Sequence, residues 1–156
     1  MKNTTLLFLV KKEGDSIKEI LLAMKKRGFG SGRINGVGGK VEVGESVEQA
    51  VLREAREEIG VEVDIKDLVK FGEINFSFEN KIDWNQTVHI FTTEIWTDDI
   101  VESEEMKPEW FAVENIPYEH MWDDDKHWLP QILAGKYVKA NCFFDDNQKV
   151  KVFENL

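Results

Sequence analysis

GKVEVGESVEQAVLREAREEIGV, running from Gly39 to Val61, is the stretch that decides how this chain folds. Within it Gly39, Glu45, Arg53, Glu54, Glu57, Glu58 and Gly60 stand at set spacing. Glu54, Glu57 and Glu58 occupy positions i, i+3 and i+4, so their side chains project from one side of a helix. Left unneutralised, such a cluster repels itself. A hard divalent cation removes the conflict, because Mg2+ prefers a few carboxylate oxygens, retained waters and the oxygens of a substrate's phosphates. The plainer alternative is a solvated acidic face, ordinary in a chain that is 32% charged.

The flanks bear on that choice. Ser46 and Gln49 have capping-box spacing, which starts a helix at Val47. Gly60 supplies the residue best able to turn left-handed past the end, so the pattern predicts a helix from Val47 to Ile59. At about 100° per residue, Val47, Val51, Leu52, Ala55 and Ile59 share one apolar arc, and the three carboxylates crowd its edge. Carboxylates at a core boundary are held in place. Arg53 precedes Glu57 by four residues and is expected to pair with it or brace the preceding loop; the alternative is a surface ion pair worth ~0.3 to 0.5 kcal/mol. Ahead of the helix, Asn35-Gly36-Val37-Gly38-Gly39-Lys40 carries three glycines, which permit positive φ and a close backbone approach to a ligand or metal. This loop is neither a Walker loop nor a dinucleotide fingerprint.

Length and composition set the frame. At 156 residues a single domain spanning 1–156 is expected, large enough to bury a core without metal or disulfide staples. Cys142 is the sole thiol, so no intramolecular disulfide forms; it reads as a small apolar core residue, and a reducing, cytoplasmic location is the default. Thr4 to Val10 is too short for a membrane span and reads as a buried strand. A formal charge of -10 disfavours a nucleic-acid duplex or an anionic membrane as partner. Yet Lys25, Lys26, Arg27, Arg33 and Lys40 form a basic island without an acidic residue, either a draw for polyphosphate or a set of solvated lysines and arginines. Further strands are expected at Glu19 to Met24, Leu68 to Phe78, Thr87 to Trp96, Glu109 to Val113, Tyr137 to Phe144 and Lys149 to Phe153. A second helix is expected from about Asp125 to Ala134, despite Pro130. The pattern supports an α/β or α+β domain.

Together the glycine loop and the carboxylate helix resemble the signature of the Nudix hydrolases, with every fixed polar and glycine position present. Ala55 stands where that family usually has a bulkier aliphatic residue. The resemblance extends to the family's oxidised-purine nucleoside triphosphatase (8-oxo-dGTPase) subgroup. Met24 to Gly30, Asn35 to Val41, Val101 to Met106, and Met121 to Asp125 followed by Trp128 carry it, in order and at similar spacing. Asp123 departs from that subgroup, which often has Pro there, and the loop around Lys81 to Gln86 looks longer.

What the resemblance implies is specific. The fold is an α/β/α sandwich with a mixed sheet between helices. The activity is Mg2+-dependent hydrolysis, with Mn2+ able to substitute, of an oxidised purine nucleoside triphosphate to the monophosphate and pyrophosphate. Glu57 and Glu58 are primary metal ligands, Glu54 a ligand or the base that orients water, and Arg53 belongs to the same catalytic set. The Gly38 carbonyl and Glu105 complete the metal site. Asn35, Trp122, Asp124 and Asp125 surround the base, with Asp123 beside them. Phe29, Phe76, Phe78 and Met106 line the pocket, Thr5 and Lys25 lie near sugar or phosphates, and Val37, Gly38, Gly39 and Lys40 form the loop against the substrate. Stacking on Trp122, and an amide plus two carboxyls at the base edge, suit a purine. The aromatic residues also read as plain core, and Asp123 to Asp125 as the acidic start of a helix. A monomer is expected. Two other functions stay open: a Nudix hydrolase of another nucleotide specificity, such as a dinucleoside polyphosphate, ADP-ribose or an ordinary nucleoside triphosphate, and a nucleotide-binding or regulatory module without turnover.

Overall fold

Strands β1 (Lys2–Glu13) and β2 (Ser16–Lys25) form a hairpin, joined at a turn where Gly14 takes φ 62°. The computed structural model describes residues 1–156. Next come a two-residue strand β3 (Ile34–Asn35), helix α1 (Val47–Ile59), strands β4 (Val69–Phe78), β5 (Gln86–Thr93) and β6 (Met106–Ala112), helix α2 (Asp125–Leu133), and the closing strands β7 (Val138–Phe144) and β8 (Val150–Asn155). They build one eight-stranded mixed sheet in the order β3-β2-β1-β5-β4-β7-β8, with β6 also paired to β2. β1 runs parallel to β5 and β4 parallel to β7; the remaining pairs are antiparallel. The fold is the expected α+β sandwich.

β1 is apolar on both faces because both faces are covered. Leu7 and Leu9 pack with Val51, Ala55 and Ile59 of α1. Phe8 and Val10 pack on the other side with Trp128, Leu129 and Ile132 of α2. Each fully buried Leu or Phe of these clusters contributes about 1.5–3 kcal/mol. Cys142 lies buried in the α2-side core, and burial pushes its thiol far above the ordinary range, which suits an inert packing residue. α2 keeps Pro130 in its interior. No helix is long and apolar enough to cross a membrane.

α1 has the expected limits. Ser46 Oγ accepts from Gln49 N–H at 3.1 Å, Gln49 Oε1 accepts from Ser46 N–H at 2.8 Å, and Gly60 turns left-handed at φ 74°. β1 and β2 pair only between Val10–Glu13 and Ser16–Ile20. Toward the start of β1 they separate, and the glycine loop fills the gap: Thr5 N–H donates to Gly39 O at 2.9 Å and Leu7 N–H to Val37 O at 2.6 Å. The expected use of the glycines for positive φ does not hold here, since Gly36, Gly38 and Gly39 all lie outside that region. Space is the requirement instead. A β-carbon on Gly38 would collide with the Thr5 carbonyl, one on Gly36 would stand 2.8 Å from the Phe8 ring, and one on Gly39 2.5 Å from Glu54 Oε1.

Candidate active site

The glycine loop faces α1 on one side and a cavity on the other. Because Val37 and Gly39 turn their carbonyls to β1, the N–H of the intervening Gly38 points away from it and donates to Glu58 Oε1 at 3.1 Å. Glu58 is only 6% exposed, and its Oε2 is buried without a partner. Burial, the neighbouring Glu54 carboxyl and the charge of Glu105 push the Glu58 carboxyl up to about 9, the Gly38 N–H opposing them. Glu54 and Glu58 therefore meet beside the loop, with Glu105 close enough to be felt.

Glu57 does not join them. It is turned to Arg53, Nη1 to Oε2 at 3.3 Å, with its side chain 58% exposed. Accordingly no three acidic, His or Cys side chains converge in metal-holding geometry. What the structure does bring together is a set of hard oxygens: the orphaned Glu58 Oε2, the Glu54 carboxylate and the free side of the loop backbone. Such donors fit a cation of the Mg2+ class.

Arg53 is the hub of this region. Its guanidinium holds both oxygens of Glu45, Nε at 2.7 Å and Nη2 at 3.0 Å. It also donates to Glu54 Oε1 at 2.9 Å and to the Lys40 carbonyl at 3.0 Å. Both expected roles are present, the pair with Glu57 and the brace to the loop. The Arg53 hydrogen bonds hold Glu45 below the usual carboxylate range. Bidentate forks of this kind fix orientation as well as charge. Glu45 was legible as a fixed position, yet its role as the anchor of Arg53 was not.

Across the loop lies a cavity of about 580 Å3, within the ~300–1,000 Å3 usual for small-molecule sites. Of the candidate residues, Thr5, Lys25, Phe29, Asn35, Gly38, Gly39, Lys40, Phe76, Phe78, Met106, Trp122 and Asp124 line it. Val37 is buried behind the loop. Asp123 is turned to Lys126 Nζ at 3.0 Å and the Val150 N–H at 2.8 Å. Lining residues that sequence reasoning did not single out include Trp84, Gln86 and Phe144. The basic island divides: Lys25, Arg33 and Lys40 face the cavity, whereas Lys26 pairs with Glu102 and Arg27 with Glu104 and Glu105.

Trp122 sits under the Arg33 guanidinium, 4.2 Å from its ring centroid, and Arg33 also donates to the Met121 carbonyl at 3.3 Å. Asn35 Oδ1 accepts from the Gly36 N–H at 2.8 Å. Asp124 precedes α2 without capping it; its Oδ2 accepts from Trp128 Nε1 at 2.6 Å. Asp125 is 1% exposed, is enclosed behind Asp124 and has no partner for either oxygen. Burial raises both carboxyls above the ordinary range, and the charge of Asp124 adds to the effect on Asp125. Two adjacent buried carboxyls whose charges repel disfavour being ionised together.

The family model of the NUDIX domain matches residues 2–132. A Danio rerio protein named oxidized purine nucleoside triphosphate hydrolase is 47% identical over 117 residues, 75% of this chain and 73% of that one. The Mus musculus protein of the same name is 42% identical over 133 residues, 85% of this chain and 83% of that one. In fold the chain is similar to the crystal structure of a MutT protein from Bacillus halodurans, with TM-score 0.83 at 22% identity, covering 99% of this chain and 97% of that one. The chain belongs to the NUDIX domain family.

Proposed function

We propose that residues 1–156 act as one Nudix domain that hydrolyses oxidised purine nucleoside triphosphates, 8-oxo-dGTP and 2-oxo-dATP, to the monophosphate and pyrophosphate. Its use is to remove oxidised purines from the nucleotide pool. The observation that carries this most strongly is that the loop Gly38–Gly39 borders the cavity with one side and the Glu54–Glu58 pair with the other. A nucleotide with its base in the cavity runs its phosphates along the loop toward the acids. Two relatives at 42% and 47% identity carry the name oxidized purine nucleoside triphosphate hydrolase.

Hydrolases of this family generally need a divalent metal; Mg2+ is our assignment, with Mn2+ as substitute. Glu54, Glu58 and the Gly38 carbonyl would hold it, with Glu57 and Glu105 as further ligands. When bound, the metal polarises phosphate oxygens and lowers the pKa of coordinated water. Arg53 keeps Glu54 and the loop in register. Lys25, Lys40 and Arg33 offset the charge of the incoming triphosphate. Trp122 offers an indole face to the base, Asn35 its side-chain amide, and Asp124 an acceptor or, when protonated, a donor. Asp125 acts behind Asp124, holding a proton that the pair can relocate to suit more than one purine edge.

Specificity constants for 8-oxo-dGTP against dGTP, and 2-oxo-dATP against dATP, test the reading in the parent, Asp124→Asn and Asp125→Asn at matched Mg2+. The parent should prefer the oxidised bases. Freezing the donor pattern leaves a buried group unpaired at a cost of ~1–3 kcal/mol, a roughly 5- to 150-fold change in preference. A parent without preference, or mutants that keep the parental ratios, contradicts the substrate; direct release of orthophosphate contradicts the bond cleaved.

A further inference from the structure

Six aromatic rings surround the cavity in an unbroken series. Phe76 lies 5.9 Å from Phe144, Phe144 stacks on Phe78 at 5.0 Å and 5°, and Phe78 meets Trp84 edge-on at 5.5 Å and 79°. Trp84 then meets Phe29 at 4.9 Å and 65°, and Phe29 stacks on Trp122 at 5.4 Å and 30°. All six line the cavity.

Trp84 is the member that comes from the connection between β4 and β5. That segment makes one 3-10 turn, Ile82–Trp84, whose first two residues are exposed while Trp84 turns inward. The turn is tied down on every side. Asn85 Oδ1 accepts from Phe78 N–H at 2.9 Å, Gln86 Nε2 donates to the Trp84 carbonyl at 3.2 Å, and Thr4 Oγ1 donates to Gln86 Oε1 at 2.8 Å. The indole is also placed from above, with Lys81 Nζ 4.2 Å from its ring centroid. Arg33 covers Trp122 at the same distance. Phe29, which is 59% exposed and set between Gly28 and Gly30, both at positive φ, thus touches both cation-covered indoles.

A ring whose only purpose is burial does not need a cation over its face and a hydrogen-bonded turn beneath it; a flat aromatic ligand does need preset rings to stack on. We propose that Trp84 is a further substrate-binding residue, contacting the purine base from the side of the cavity formed by the β4–β5 connection, with Phe29 linking it to Trp122. The inference rests on the proposed binding of the base in this cavity and adds a residue that sets how tightly the base is held.

Titration calorimetry in Mg2+ decides it, with 8-oxo-dGMP as the base-bearing probe and inorganic pyrophosphate as the probe without a base. Trp84→Ala should weaken 8-oxo-dGMP binding roughly 5- to 150-fold, the range for losing one base-aromatic stack, and leave pyrophosphate binding unchanged. Trp84→Phe, which keeps a ring and serves also if the alanine variant fails to fold, should recover most of the affinity. Parental affinity for 8-oxo-dGMP in Trp84→Ala overturns the inference. Equal losses for both probes overturn it too, because Trp84 then props the loop without touching the base. If the parent ignores 8-oxo-dGMP but binds dGMP or AMP, the oxidised-base assignment fails, and the inference stands only if Trp84→Ala weakens that binding.

Discussion

Glu54 with Glu58 and Asp124 with Asp125 are two pairs of neighbouring carboxyls, each at a helix that covers one face of the same sheet, and each leaves buried oxygens without a partner. They differ in what can reach them. The glutamate pair stands at the core boundary, beside the polar Arg53 hub and a glycine loop that can pass backbone oxygens to a cation. In the aspartate pair Asp124 lines the cavity and accepts from one indole N–H, while Asp125 is enclosed without a donor. Burial penalises charge in both places. Under the proposed function a metal ion relieves it beside the glycine loop, and a bound proton relieves it at Asp125. Under that function two like pairs take different partners, a cation for the glutamates and a purine edge for Asp124.

The largest effect is expected at Glu58. Glu58→Gln keeps the acceptor for the Gly38 N–H and nearly the same volume but removes the ligand charge. Turnover in Mg2+ should fall on the order of 100-fold or more, beyond the usual loss for an outer-shell partner. At neutral pH thermal unfolding should show the metal-free variant more stable than the parent, because the parent's Glu58 must take up a proton on folding and a glutamine need not. A folded variant with parental turnover removes Glu58 from the site.

Arg53→Lys comes next. A lysine offers no planar fork, so it cannot hold both Glu45 oxygens, Glu54 and the Lys40 carbonyl at once. Steady-state kinetics should show a roughly 10- to 100-fold loss; an unchanged rate would mean the loop keeps its register unaided.

The smallest effect is one of pH on stability. The ordinary value for Asp125 is 3.8, and burial raises it well above that in the fold. The folded chain therefore binds this proton more tightly than the unfolded one. The stability it contributes is complete below the unfolded value and is lost as pH rises through the folded value. Glu58 behaves alike between 4.5 and about 9. Across that window, from 4.5 to about 9, the metal-free parent should lose stability progressively, and Asp125→Asn should lose less, by a few degrees at ~2–4 °C per kcal/mol. Parallel curves for the two proteins would show Asp125 ionised at no cost.

The sequence carried α1 to its exact limits because Ser46, Gln49 and Gly60 act through bonds within one turn of the helix ends. It carried most strands as well, from their apolar runs. It did not carry β3 or the opening between β1 and β2, since a two-residue strand and a wedged loop exist only through partners far along the chain. The same limit applies to the site. Spacing puts Glu57 and Glu58 on one side of a helix, but depth separates them, one exposed on Arg53 and the other buried under Gly38. Asp125 follows Asp124 directly, yet only Asp124 lines the cavity. Trp84 escaped notice because its inward turn depends on Asn85, Gln86 and Thr4.

Thermal unfolding with and without Mg2+, on the parent, Glu58→Gln and Asp125→Asn, separates the two pairs most directly. Mg2+ should raise the melting temperature of the parent and of Asp125→Asn and leave Glu58→Gln unmoved, since a ligand that binds only the folded state stabilises it in proportion to its affinity. Equal stabilisation of Glu58→Gln, or none of the parent, would contradict the division of the two carboxyl pairs into a metal site and a proton-holding site.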